Sequence, residues 1–196
     1  MDTAASSLRE RSKARRRHSI QRAAIRLFAE HGYDGTTIAD VAEAAEVAPR
    51  TVSMYFPNKI DIAMSASNDM SARLTATFRA NPRLPFTDVI DLWLVDVVES
   101  LDVDLAVSMA AMFDTNPPLR AVSTAHIMEA TGLSTPALVA QLGLAADDPL
   151  IAIVYAAVSS AITEYIASVL TSGGTRVMHD QFVRYLRAVI GAARPG

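Results

Sequence analysis

The chain has 196 residues, a formal net charge of −3 and no cysteine. That length suits one large domain or two small ones and buries enough surface to hold a core without a covalent staple. Zero Cys excludes a disulfide scaffold, a thiolate zinc site and a thiol nucleophile, and 51% hydrophobic against 20% charged residues exclude a disordered chain.

Net acidity alone argues against a nucleic-acid binder. The distribution argues the other way. Residues 1–60 carry 10 Lys+Arg and 7 Asp+Glu, whereas residues 61–196 carry 8 and 14. Between Arg9 and Arg26 stand eight bases and one acid. The reading of this stretch is either a solvated tail or a surface that attracts phosphate, with Arg15, Arg16 and Arg17 as a group. The first 30 residues hold no apolar run of secretory type, so the cytoplasm is the expected location.

Strand-like alternation is scarce, and Pro and Gly cut the chain into about nine helical pieces. A first helix is expected over Ala14–His31, with Ile20, Ala23, Ala24, Leu27 and Phe28 as its buried stripe and Gly32 as its stop. A second is expected from Ile38 to Ala45. Thr37 and Asp40 have the spacing of a capping box, and Ile38, Val41, Ala42 and Ala45 supply the buried face. A third runs from Pro49 to Phe56, with Pro at a first-turn position where its missing N–H costs nothing. Asn58 is the expected cap of a long fourth helix, Lys59–Ala80.

Residues 81–85 read as a linker. Apolar helices then fall near 87–100, 103–114, 118–130 and 135–143, the last two separated or kinked by Gly132 and Pro136. Asp148-Pro149 opens an apolar helix to Leu170, and Gly173-Gly174 ends it. Its length invites a membrane-span reading. Glu164 and several hydroxyl residues within it favour a buried core or interface helix instead. A final helix spans 176–191, with Met178, Phe182, Tyr185, Leu186 and Val189 as its stripe.

The second and third helices, separated by Glu46-Val47-Ala48, make a helix-turn-helix if they pack on the first. Pro49, Arg50, Thr51, Ser53, Met54 and Tyr55 supply its outer side; Val47, Val52 and Phe56 supply its inner side. Arg50 is the candidate for direct base readout, because its planar fork matches O6 and N7 of guanine.

From about Arg17 to Ile62 the chain resembles the N-terminal domain of the TetR family of transcriptional regulators. The segment AAIRLFAEHGYDGTTIADVAEAAEVAPRTVSMYFPNKIDI carries the likeness. The resemblance implies an all-α protein: a three-helix DNA-binding domain at 1–58, N-terminal arm included, and a larger helical effector-binding and dimerisation domain at 59–196. It implies that Thr37 and Lys59 hold phosphates. It implies that Pro49, Arg50 and Thr51 face bases or the sugar-phosphate edge, and that Ser53 and Tyr55 touch backbone or thymine methyls. Three positions depart from the family pattern. Glu46 stands where the turn usually has Gly, Ala48 where a capping Ser is usual, and Ser53 where an aromatic is frequent.

The remaining three quarters of the chain shares no such motif. Trp93, Met109, Met112, Phe113, His126, Met128 and Tyr155 are either the lining of an apolar effector cavity or plain core. Ala156, Ser160, Phe182, Tyr185 and Val189 are candidates for a dimer interface, their alternative being an intramolecular core. The acids at 88–114 are either a cationic-ligand site or a solvated face that repels DNA. The four His show no metal-ligand spacing, and no phosphate-cradling Gly loop or nucleophile elbow is present, so neither an enzyme nor a cofactor or metal is expected. The expected function is a palindrome-binding homodimeric repressor released by a small molecule, with double-stranded DNA as its partner. The alternative is a helical ligand-binding or scaffold protein that has lost DNA readout.

Overall fold

The computed structural model describes residues 2–120, 123 and 131–194. Every regular element among them is an α-helix. In chain order these are α1 (Asp2–His31), α2 (Ile38–Ala44), α3 (Pro49–Tyr55), α4 (Lys59–Ala63) and α5 (Ser65–Ala80). There follow α6 (Phe86–Glu99), α7 (Val103–Thr115), α8 (Thr131–Leu142), α9 (Pro149–Ser172) and α10 (Arg176–Ala192). The chain forms two compact units. The first comprises residues 1–68 and 103–125, and the second 69–102 and 126–196. These divisions differ from the 58/59 boundary expected from sequence, because α7 packs with α1 inside the first unit.

The core of the first unit is the expected stripe of α1 closed by α2 and α3. Ile20, Ala24, Ile25, Phe28, Val41 and Val52 are fully buried, with Ile62, Met64 and Met112 beside them. Local signals set the ends. Gly32 ends α1 at φ +80°, a conformation that costs Gly nothing. Both halves of the Thr37–Asp40 capping box form. The core of the second unit gathers Val89, Ile90, Trp93 and Leu94 of α6, Leu138 and Leu142 of α8, Val154 and Val158 of α9, and Leu186 and Ile190 of α10.

Several expectations are corrected. The first helix starts at Asp2 and not at Ala14, so the basic stretch is helical and is no loose tail. The helix expected over Lys59–Ala80 breaks at Met64 into α4 and α5. Ser65 causes the break: its hydroxyl donates to the Ile62 carbonyl at 2.6 Å and accepts from the buried Gln21 amide at 2.9 Å. Asn58 makes no side-chain cap. Pro136 lies inside α8, which begins upstream of it. Most of the helix expected at 118–130 lies outside the described residues. In α10 the core face is Val183, Leu186 and Ile190, and Tyr185 is 54% exposed. The apolar arc of α10 is wider than one stripe, so part of it turns outward.

The apolar helix α9 is a core helix on one face only, that of Ile151, Val154, Val158, Tyr165 and Val169. Pro149–Leu170 is long and apolar enough to cross a membrane by length and composition, yet 22% of its most apolar window is buried. Ala152, Ile153, Ala156, Ala157, Ser160 and Thr163 are exposed along one side of it.

Candidate nucleic-acid interface

The chemistry of a groove-reading helix needs short elements, rigid attachment and an outer face free of packing duties. α3 meets all three. Val52 and Phe56 are buried at 0% and 3% exposure and anchor it. Pro49, Arg50, Ser53 and Met54 are exposed, and Thr51 and Tyr55 are half-buried at its flanks. The Ser53 hydroxyl donates back to the Pro49 carbonyl at 3.4 Å.

The turn before α3 is a Schellman motif. The Val47 N–H reaches the Ala42 carbonyl at 2.9 Å, and the Glu46 N–H reaches the Glu43 carbonyl at 3.0 Å. This closure requires a left-handed residue at position 46. Glu46 supplies it at φ 53°, the one non-glycine residue with positive φ among those described. A side chain there costs roughly 1–2 kcal/mol. Ala48 caps α3 without a side-chain bond. Both departures noted in the sequence thus have local structural consequences.

The segment entering α2 is tied down by polar groups, most of them from distant parts of the chain. Lys59 donates to the carbonyls of Tyr33 at 2.7 Å and Thr36 at 3.0 Å, and its ammonium lies 4.2 Å from the Tyr33 ring centroid. Two of its three ammonium protons therefore serve the fold. Asn116 accepts from the Tyr33 N–H at 3.0 Å and donates to the Met112 carbonyl at 2.8 Å and the Phe28 carbonyl at 3.4 Å. The buried Thr36 hydroxyl donates to the Gly32 carbonyl at 2.9 Å. Burial, followed by the charges of Asp34 and Asp61, raises the Tyr33 phenol above its ordinary pKa.

Thr37 is exposed but its polar atoms are engaged. Its N–H and hydroxyl donate to the Asp40 carboxylate at 2.7 and 2.8 Å, and its hydroxyl accepts from the Asp40 N–H at 3.2 Å. Those bonds, the backbone one first, hold the Asp40 carboxyl below the usual range. On α1, Arg15 and Arg16 are exposed, and the Arg17 guanidinium stacks 5.1 Å from the Phe56 ring centroid. Asn116, Thr36 and Gln21 were not singled out in the sequence. Gln21 and Asn116 meet partners 44 to 88 residues away, so no local pattern marks them, whereas the Thr36 hydroxyl bonds the nearby Gly32 and Leu27 carbonyls.

The effector-site candidates do not assemble into one cluster. Met112, Met109 and Phe113 pack in the core of the first unit, whereas Trp93 and Tyr155 belong to the core of the second. Met residues of α7 fill space against α1, which is a core duty. His126 and Met128 lie outside the described residues. The Trp93 indole N–H is buried with no hydrogen-bond partner among the described residues. Tyr155 shares a hydrogen bond with Ser134 at 3.3 Å. Among the interface candidates, Ala156 and Ser160 are exposed, Phe182 and Val189 are half-buried, and the Phe182 ring stacks on Tyr165 at 4.4 Å. The acids of 88–114 are largely paired: Asp88 and Asp91 with Arg187, Asp96 with Arg73, Asp104 with Arg22, Asp114 with Arg120. These pairs are largely solvent-exposed, so the stretch is a solvated, partly neutralised face.

Three helices with an exposed, rigidly mounted third one form a helix-turn-helix. Residues 20–64 match the family of bacterial regulatory proteins described as the tetR family. That stretch of the chain is thus similar to the N-terminal domain of the family. It is 27% identical over 150 residues to the HTH-type transcriptional regulator TcmR of Streptomyces glaucescens, an alignment covering 72% of this chain and 66% of that one. It is 34% identical over 103 residues to CymR of Pseudomonas putida, covering 50% and 51%. The chain thus spans less than two thirds of either relative. Its fold is similar to that of the transcriptional regulator FadR from Bacillus subtilis, solved in complex with stearoyl-CoA. There the TM-score is 0.58 at 20% identity, over 91% of this chain and 98% of that one.

Proposed function

We propose that the protein is a ligand-responsive repressor that binds a palindromic operator as a homodimer. The observation that carries the DNA-binding part is the outer face of α3, exposed at Pro49, Arg50, Ser53 and Met54 while Val52 and Phe56 pin it from behind. Arg50 reads a guanine edge. Pro49, Thr51, Ser53 and Tyr55 fit the groove walls. Arg15, Arg16 and Arg17 on α1, together with Thr37 and Lys59, hold phosphates. One such helix reads few bases, so two copies on a palindrome are required, with half-sites about 34–36 Å apart or a multiple of it.

Residues 59–196 supply dimerisation and effector binding in this reading. The exposed small residues of α9, with Ala156 and Ser160 at their centre, and the exposed Tyr185 of α10 beside the half-buried Phe182 and Val189 support a helical interface between copies. The unpartnered indole N–H of Trp93 supports an effector site in the second unit, since an unpaired buried donor is a group that a ligand can satisfy. The complex of the FadR fold neighbour puts acyl-CoA thioesters first among compounds to screen. Release follows if the effector binds a state with differently spaced recognition helices more tightly; equal affinity for both states shifts nothing.

Selection from a randomised duplex pool tests the reading. Enrichment of a palindrome, bound with steep salt dependence, is the expected result. No enriched sequence and no salt dependence would leave a helical ligand-binding or scaffold protein.

A further inference from the structure

We propose that the N-terminal half of α1 and the end of α3 form a groove that grips the operator's sugar-phosphate backbone, outside the bases that α3 reads. The family match begins at residue 20, yet α1 begins at Asp2, so several helical turns precede the recognised domain. Within them Arg9, Ser12, Lys13 and Arg16 recur at i, i+3, i+4 and i+7, one face of a helix. That face meets α3. Leu8, Arg9, Ser12, Lys13 and Arg16 line an open groove of about 540 Å³ together with Met54 and Tyr55.

The chemistry of the lining names the occupant. Three cations and no acid line the groove. Leu8 and Met54 beside them are 59% and 77% exposed, apolar surface out of place on a solvated helix pair. A duplex strand presents both complements at once: phosphate oxygens for the guanidinium and ammonium groups, and the apolar faces of deoxyribose for Leu8 and Met54. The groove is also continuous with α3, since Met54 and Tyr55 belong to both. A strand leaving the surface of α3 therefore runs into it. The groove supplies register and affinity, and it leaves base preference to Arg50 and its neighbours.

This inference rests on the DNA-binding reading above, and the experiment separates the two. The full chain and its R9Q/K13Q/R16Q variant are titrated with the selected duplex over a range of salt concentrations, with hydroxyl-radical footprinting alongside. Gln is a good helix former, and far-UV circular dichroism confirms that α1 is retained. Each phosphate contact contributes about 0.9 to the slope of log K against log salt. With three contacts removed from each of the two copies on the palindrome, the triple variant is expected to lose about 5 from that slope and to lose protection at the outer edges of the footprint. Its ranking of base-pair variants should stay the same. Arg83→Gln, a charge loss on the exposed linker, should leave the slope unchanged. An unchanged slope and footprint in the triple variant overturn the groove, and with it the phosphate role of Arg16, while leaving base reading by α3 in place. Loss of slope with an unshortened footprint, or an equal loss in Arg83→Gln, makes the effect one of net charge and overturns it too. No binding by the unaltered chain overturns both readings.

Discussion

The two units are built on different principles. In the first, polar side chains reach across the sequence to grip backbone: Lys59 on Tyr33 and Thr36, Asn116 on Phe28, Met112 and Tyr33. In the second, long-range polar contacts are mostly between side chains at the surface, such as Arg187 with Asp88 and Asp91, around an apolar core. Backbone grips fix where an element sits to a fraction of an ångström. Apolar packing tolerates exchange of one side chain for another of like volume. A DNA-reading surface needs the first kind of attachment.

The single Trp of the chain makes this contrast measurable, because Trp93 reports on the second core while far-UV circular dichroism reports on both units. The largest effect is expected for Leu94→Ala, a fully buried position. It should cost about 2–5 kcal/mol, read as an early shift in Trp93 emission during denaturation. Leu94→Met should cost less than about 1.5 kcal/mol if volume is what that core requires. Lys59→Met comes next. It removes two charge-assisted bonds to backbone and should cost about 2–3 kcal/mol. Helical signal should then fall before Trp93 emission moves. Coincident transitions with a loss under about 0.5 kcal/mol would remove the proposed contrast, because surface pairs are worth no more.

Glu46→Gly should stabilise the first unit by about 1 kcal/mol by relieving the left-handed side chain. A destabilisation in thermal melts would mean that the Glu46 side chain holds something that the turn geometry does not reveal. Arg187→Gln should change stability by about 0.5 kcal/mol or less, since the pair is half exposed. The smallest effect concerns acid. The Asp40 carboxyl is held below its ordinary value, so its contribution is present above about pH 4. It is lost as pH falls through the folded value. Amide chemical shifts at the start of α2 should follow that titration, and an unshifted midpoint would mean that the cap does not form in solution.

Local features were legible in the sequence. The α2–α3 pair, the Thr37–Asp40 box, the Gly32 stop and the awkward Glu46 all depend on residues within a few positions of one another. The break between α4 and α5 was not, because it depends on Gln21 meeting Ser65, 44 residues away. Asn116 was missed for the same reason. The face of α10 was misjudged by one residue because Val183 and Ile190 widen its apolar arc, and periodicity alone cannot say which edge of a wide arc turns inward. The effector candidates were chosen by residue type. Type does not distinguish Met112, which fills the first core, from a group that lines a cavity. The α3 outer face was legible because a short helix with two buried anchors has few ways to present the rest.

The backbone of Tyr33 sits in a connection and not in a helix, yet its N–H is held by Asn116 and its C=O by Lys59. Its amide proton should therefore exchange with solvent deuterium far more slowly than a turn amide ordinarily does, at a rate close to that of the α1 interior. Opening of that turn also breaks the bond to Asn116, just beyond the end of α7. Opening of that turn is thereby coupled to loosening at the end of α7, and the exchange rates of the two should rise together.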